Sequence, residues 1–226
     1  MSLKFSFPFG ILLLFIFSVS DAQRSINVFD HMLIKESDKY LYGAPVEKYE
    51  GTPYLTETFV MGYVYANKEK YTGVPMRYNM FDDKLEFQKN NQIYVLGPDP
   101  RIEKVELGDY ILVVEKFKFL SKTENGYLEL LESGQLTLMS KKVVNYRDKI
   151  IISDVPAKYT RSADMYYYKI GDGVVRKVDS IKKMIASLPD KQEELNQFTK
   201  NEKISPKDKD ELIKLVKYYN SLVISH

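Results

Sequence analysis

Between residues 56 and 147, turn-forming pairs recur every 7 to 17 residues: Asn67-Lys68, Asp82-Asp83, Asn90-Asn91, Gly97-Pro98-Asp99-Pro100, Gly108-Asp109, Asn125-Gly126 and Ser133-Gly134. The segments between them are too short for paired helices and are rich in Val, Ile, Tyr, Phe and Leu. Such residues fit a pleated, half-buried surface, so the pattern predicts an antiparallel β-meander. Asn125-Gly126 is the strongest hairpin signal, because both residues tolerate the positive φ of a type I′ turn. In Phe59-Val60-Met61-Gly62-Tyr63-Val64-Tyr65 the large rings and Met61 alternate with Val and Gly, which is strand periodicity. Tyr110 to Val114 is apolar on both faces. Leu136, Leu138, Val144 and Tyr146 line one face of a long later strand, broken by Ser140 and Lys142, and Ile150-Ile151-Ile152 reads as a short strand. Six to eight strands in a twisted, curled sheet or partial barrel are expected.

The period changes near residue 179. Ile181, Met184, Ile185 and Leu188 stand at i, i+3, i+4, i+7 behind an Asp179-Ser180 cap. Pro189 closes that helix, and Asp190 with Glu193 forms a capping-box pattern for the next, which carries Leu195 and Phe198. The last helix is expected to open at Ser205, with Pro206 in the first turn and an apolar stripe from Leu212 to Val223. The fold class is therefore α+β, mainly β: an antiparallel meander with three short C-terminal helices packed on it. A partner-docking surface is the alternative use of those helices.

Four segments follow: a signal peptide over 1–22, an extended N-terminal arm over 23–55, the β domain over 56–178 and the helical tail over 179–226. Lys4, the apolar run Phe5 to Phe17 and the small residues of Ser20-Asp21-Ala22 make up the first. The run is too short for a comfortable membrane helix, which needs about 20 apolar residues. An uncleaved anchor is the competing reading. After cleavage no transmembrane segment is expected.

Cysteine is absent, which excludes disulfides, thiol nucleophiles and Cys-based zinc sites. None of the ten asparagines lies in a glycosylation sequon. An exported, cysteine-free chain of this kind points to the periplasm or cell surface of a Gram-negative bacterium. Lys and Arg number 33 against 31 acids, well mixed along the chain, so no nucleic-acid footprint is visible.

Catalytic material is scarce. The two histidines are His31 and His226, and no phosphate loop, dinucleotide fingerprint or nucleophile elbow is present. Gly171-Asp172-Gly173 reads as a hairpin turn, since no helix N-terminus or further carboxylates follow. The carboxylate pairs Asp82/Asp83, Glu103/Glu106 and Glu129/Glu132 read as solvated turn and edge charges. No catalytic residue, metal ligand or cofactor is assigned. The most distinctive polar cluster is Arg77-Tyr78-Asn79. Arg77 and Tyr78, with Tyr63 and Tyr65, are the candidate ligand-binding residues, since arginine among aromatics can hold a carboxylate or phosphate. The ordinary alternative pairs Arg77 with Glu86 or Glu69 across strands.

Leu41-Tyr42-Gly43, Gly51-Thr52-Pro53-Tyr54-Leu55, Gly62-Tyr63-Val64-Tyr65, Tyr71 to Asn79 and the tail from Leu188-Pro189-Asp190 to Tyr219-Asn220 together resemble a class of bacterial secreted proteins with a signal peptide, a β-meander and a helical ending. That resemblance implies structure and carries no activity. The functions expected are a non-catalytic interaction or structural module of the envelope, with an envelope protein as partner; a periplasmic carrier of an apolar ligand or lipid in the curled sheet; and, last, a carboxylate hydrolase.

Overall fold

A computed structural model describes residues 49–89 and 92–224. The segment read as a signal peptide, most of the expected arm and the expected Asn90-Asn91 turn lie outside the described residues. Among the described residues there are thirteen strands and three α-helices. The strands are β1 (Tyr49–Glu50), β2 (Val60–Ala66), β3 (Glu69–Asn79), β4 (Lys84–Lys89), β5 (Gln92–Leu96), β6 (Ile102–Leu107), β7 (Tyr110–Phe119), β8 (Lys122–Glu132), β9 (Leu136–Lys141), β10 (Val144–Arg147), β11 (Ala157–Arg161), β12 (Met165–Ile170) and β13 (Arg176–Lys177). The helices are α1 (Ile181–Ala186), α2 (Gln192–Glu202) and α3 (Lys209–Ile224).

Ten strands form one antiparallel sheet in the order β13-β12-β9-β8-β7-β6-β2-β3-β4-β5, curled into a half-barrel. It is larger than the six to eight strands expected. Two meanders, β2–β5 and β6–β9, meet along β2 and β6. Directly paired residues share a face. The row Tyr71, Val64, Val105, Leu112, Glu129, Ser140 and Tyr166 therefore runs along the inner face, through successive strand pairs. Tyr78, Tyr127, Met76 and Leu112 fill that face, each at most 2 % exposed.

The long later strand is two strands. β9 ends at Lys141, and β10 joins a second, three-stranded sheet of order β1-β11-β10. Tyr49 and Glu50, at the end of the expected arm, pair in parallel with Ala157 and Lys158 in that sheet. Ile151–Ser153 is one 3-10 turn rather than a strand, held by the Ile150–Val155 bridge.

Asn67 and Lys68 both have positive φ, as a type I′ hairpin requires. Asn125-Gly126 is not a turn. Both residues lie inside β8, opposite Lys116 and Glu115. Gly126 is needed for close approach instead: a Cβ there would meet Asp83 Oδ2 at 2.7 Å and Phe117 Cε1 at 2.8 Å. The β7–β8 turn sits at Leu120, at φ 52°.

Ser180 caps α1, its side chain accepting from the Lys183 N–H at 3.2 Å. Asp190 does not cap α2. Lys191 holds that position, and Asp190 accepts from the Tyr219 hydroxyl. The third helix starts after Asp208, whose Oδ1 accepts from Asp210 and Glu211 N–H, both at 3.0 Å, so Asp208 caps in place of Ser205. The helices bury Met184, Leu195, Leu212, Leu215 and Tyr219 against Leu136, Leu138 and Tyr168. Asn220 completes the docking: its Oδ1 accepts from Leu136 N–H and its Nδ2 donates to Leu136 O, both at 2.9 Å.

Candidate functional site

Arg77 lies on β3 opposite Glu86 on β4, as strand pairing suggests. Its Nη2 and Nε donate to Glu86 Oε2 at 2.7 and 2.9 Å. The guanidinium also lies 3.6 Å from the Tyr54 ring centroid and 4.5 Å from that of Phe59. Tyr54 donates to the other Glu86 oxygen, and burial is the main reason its hydroxyl is held protonated well past the usual tyrosine range. The cation is thus already satisfied by a carboxylate and two rings. Glu69 instead accepts from the Tyr71 hydroxyl.

Tyr63 and Tyr65 stand on the outer face of β2. Lys70 Nζ lies 4.2 Å from the Tyr63 ring centroid and Lys104 Nζ 4.2 Å from that of Tyr65, whose hydroxyl donates to Glu106. Tyr78, next to Arg77 in sequence, points to the opposite, inner face, since neighbours on a strand alternate. The four sequence candidates therefore do not converge on one site.

Tyr78 belongs to a buried polar cluster that no local sequence pattern marks. Its hydroxyl donates to Asp83 Oδ1 at 2.5 Å, and Lys141 Nζ lies 2.5 Å from the same oxygen. Lys141 Nζ also donates to Tyr127 O, and Tyr127 N–H donates to Asp83. Tyr127 lies past the last β8–β9 rung, Glu129 with Ser140. The ion pair thus satisfies backbone groups that β9 abandons when it leaves the sheet. Burial holds the Lys141 ammonium below the usual lysine range, with Asp83 opposing. A second network joins Lys142 to Glu129 at 2.5 Å and Asp164 at 2.6 Å, beneath the start of α3. Burial works to raise Glu129, but the Lys142 contact outweighs it and its carboxyl falls below the usual range. Both clusters are mostly buried and internally paired, which suits a structural role.

Among the described residues, two features open to solvent stand out. The first is an aromatic surface on the second sheet. Tyr159 sits among Tyr49, Phe81 and Tyr146, with ring centroids 5.1, 5.5 and 4.9 Å away. Tyr49, Phe81 and Tyr146 are 40, 43 and 40 % exposed, and Ile150, Ile151 and Ile152 on the adjoining turn are exposed as well. Sequence reasoning read those isoleucines as a short strand. Their placement between Asp148-Lys149 and Ser153-Asp154 was the available sign of a solvent-facing tip.

The second is a groove of about 510 Å³ at the other end of the main sheet, between the β7–β8 turn, β12, β13 and α1. Its floor is Met165, Tyr167 and Val175, and its rim carries Leu120, Lys118, Arg176, Lys177 and Lys183 with Asp179. Burial pushes the Tyr167 hydroxyl up to about 12, with Asp179 adding to the effect. Among the described residues no three His, Cys, Asp or Glu side chains gather as a metal site, and no helix is long and apolar enough to cross a membrane. Comparison with family models, curated proteins and solved structures returns no match to this chain.

Proposed function

We propose that this chain is an exported, non-catalytic interaction module of the bacterial cell envelope, and that it holds a protein partner against the aromatic surface of its second sheet. One observation carries the reading. The Tyr49, Phe81 and Tyr146 rings gather around Tyr159 and stay exposed, and the turn that follows β10 carries Ile151 and Ile152 at 84 and 101 % exposure. Exposed aromatic and aliphatic side chains on one small sheet and its connecting turn are characteristic of protein interaction sites. Tyrosine suits such a surface because its ring gives contact area and its hydroxyl keeps the free protein soluble. The carrier reading has less support. It needs an apolar cavity inside the curled sheet, and Tyr78, Tyr127 and Met76 occupy that space.

Burying an isoleucine contributes about 1.5–3 kcal/mol, so loss of Ile151 should be felt by any partner seated there. The test is a photo-crosslinking amino acid placed at Ile151 in cells expressing the full chain, with Lys200 on α2 as the control position. A discrete protein adduct at Ile151, absent at Lys200 and lost with Tyr146→Ser, is the expected result. No adduct, or equal adducts at both positions, overturns the reading.

A further inference from the structure

The groove between β12, β13 and α1 is separate from the aromatic surface, and its chemistry is different. Four cations, Lys118, Arg176, Lys177 and Lys183, face one acid, Asp179. All four are exposed, and none is ion-paired among the described residues. Nearby Lys169, on β12, is by contrast paired with Glu115. Between these charges lies an apolar floor in which Tyr167 is 1 % exposed. A volume of about 510 Å³ falls within the range of ligand-binding clefts.

Two further observations bear on the occupant. A second groove of about 260 Å³ shares Tyr168 and Arg176 with the first, so the depression continues past Arg176 toward Val174 and Pro189. An elongated depression suits an extended chain better than a compact molecule. β13 is also the last strand of the sheet, hydrogen-bonded to a neighbouring strand on one side only. An edge strand offers main-chain groups to an added peptide. On the rim, Leu120 is 72 % exposed and held at φ 52°, a conformation that leucine adopts at a cost. Gly or Asn would form that turn more cheaply, so an apolar side chain is kept beside the groove against local preference.

We infer that this groove binds an extended acidic peptide, its carboxylates meeting Lys118, Arg176, Lys177 and Lys183 and an apolar side chain resting between Leu120 and Tyr167. The excess of cations complements acids, and the edge strand and elongated shape select a polypeptide. Four cations are few for a nucleic-acid tract, whose affinity grows with each phosphate neutralised.

The experiment is fluorescence anisotropy of the full chain with labelled decapeptides. In one set Asp or Glu alternates with Phe, Tyr, Leu or Val; in its counterpart Lys replaces the acids. A single-stranded oligonucleotide and vesicles containing an anionic phospholipid complete the probes. Acidic peptides should bind and their lysine counterparts should not. Arg176→Glu/Lys183→Glu should weaken binding at least about tenfold, roughly the effect of one lost charge-assisted contact. Lys200→Glu, on an exposed face of α2, should leave it unchanged. Because the groove cations are exposed, both variants should keep the unfolding midpoint of the parent chain. Absence of binding by every acidic peptide overturns the inference. So does binding that survives Arg176→Glu/Lys183→Glu, or tighter binding of the oligonucleotide or the vesicles.

Discussion

Asp83 and Lys141 meet at 2.5 Å across a gap that no strand pairing bridges. Asp83 lies at the β3–β4 turn in the first meander, and Lys141 ends β9 in the second. The Lys141 side chain is 4 % exposed and that of Asp83 25 %. Breaking a buried pair from one side leaves an uncompensated charge and costs about 3–5 kcal/mol. Asp83→Ala should therefore lower stability in urea unfolding by about 3 kcal/mol. Lys141→Met should cost less, because it removes the deeply buried charge and leaves Asp83 with partial access to water. The double variant should be more stable than Asp83→Ala alone. Strict additivity in that cycle would show that the pair does not couple.

Gly126 reports on the same junction. A methyl group there meets both Asp83 and Phe117, so Gly126→Ala should destabilise by about 1–3 kcal/mol through overpacking. Phe117→Leu removes the ring atoms in the way, and in that background the cost of Gly126→Ala should shrink. An unchanged cost would return the glycine to a backbone role. Urea midpoints of the four proteins decide it.

Asn220 acts on the sheet much as another strand would, accepting from and donating to the backbone of one residue, Leu136. Asn220→Ala leaves two buried backbone groups unpaired and should cost about 3 kcal/mol. A Cβ on Gly134 would collide with the same amide. Gly134→Ala should thus be damaging in the parent chain and milder beside Asn220→Ala. Hydrogen exchange at the Leu136 amide is the direct measurement, and it should accelerate in both single variants.

Alkaline pH should unfold the protein through its tyrosines. Burial first, and carboxylates such as Asp83 second, raise Tyr78 and Tyr127 well above the ordinary value near 10. Burial likewise takes Tyr167 and Tyr219 to about 12, Asp190 assisting at Tyr219. A raised acid favours the fold fully below its unfolded value and progressively less as pH climbs toward its folded value. Stability should fall above about pH 10. Tyrosinate absorbance of the native chain should lag behind that of the urea-unfolded chain. Coincident titrations would contradict the packing of these rings.

Local patterns revealed local structure. Ile181, Met184, Ile185 and Leu188 located α1, Ser180 its cap, and Asn67-Lys68 the first hairpin, because each depends on residues within one turn. Asn125-Gly126 misled because a glycine required by a distant ring looks the same in sequence as one required by a bend. The break at Lys141 was hidden because a strand that changes sheets keeps its alternation. Arg77 had its acid, Glu86, in view because hairpin partners are near in sequence. The groove was not visible in this way. Lys118 reaches its rim from one hairpin, Arg176 and Lys177 from another, and Lys183 from a helix, and only the curl of the sheet brings them together.

The contact between Asp83 and Lys141 also carries a kinetic consequence. Its two carboxylate and ammonium halves belong to separate hairpin arrays, so it can form only once each array has assembled. Refolding rates should then be nearly indifferent to Asp83→Asn, and unfolding rates should absorb almost its whole effect. On this account the junction of the two hairpin arrays should be the last part to zip and the first to open.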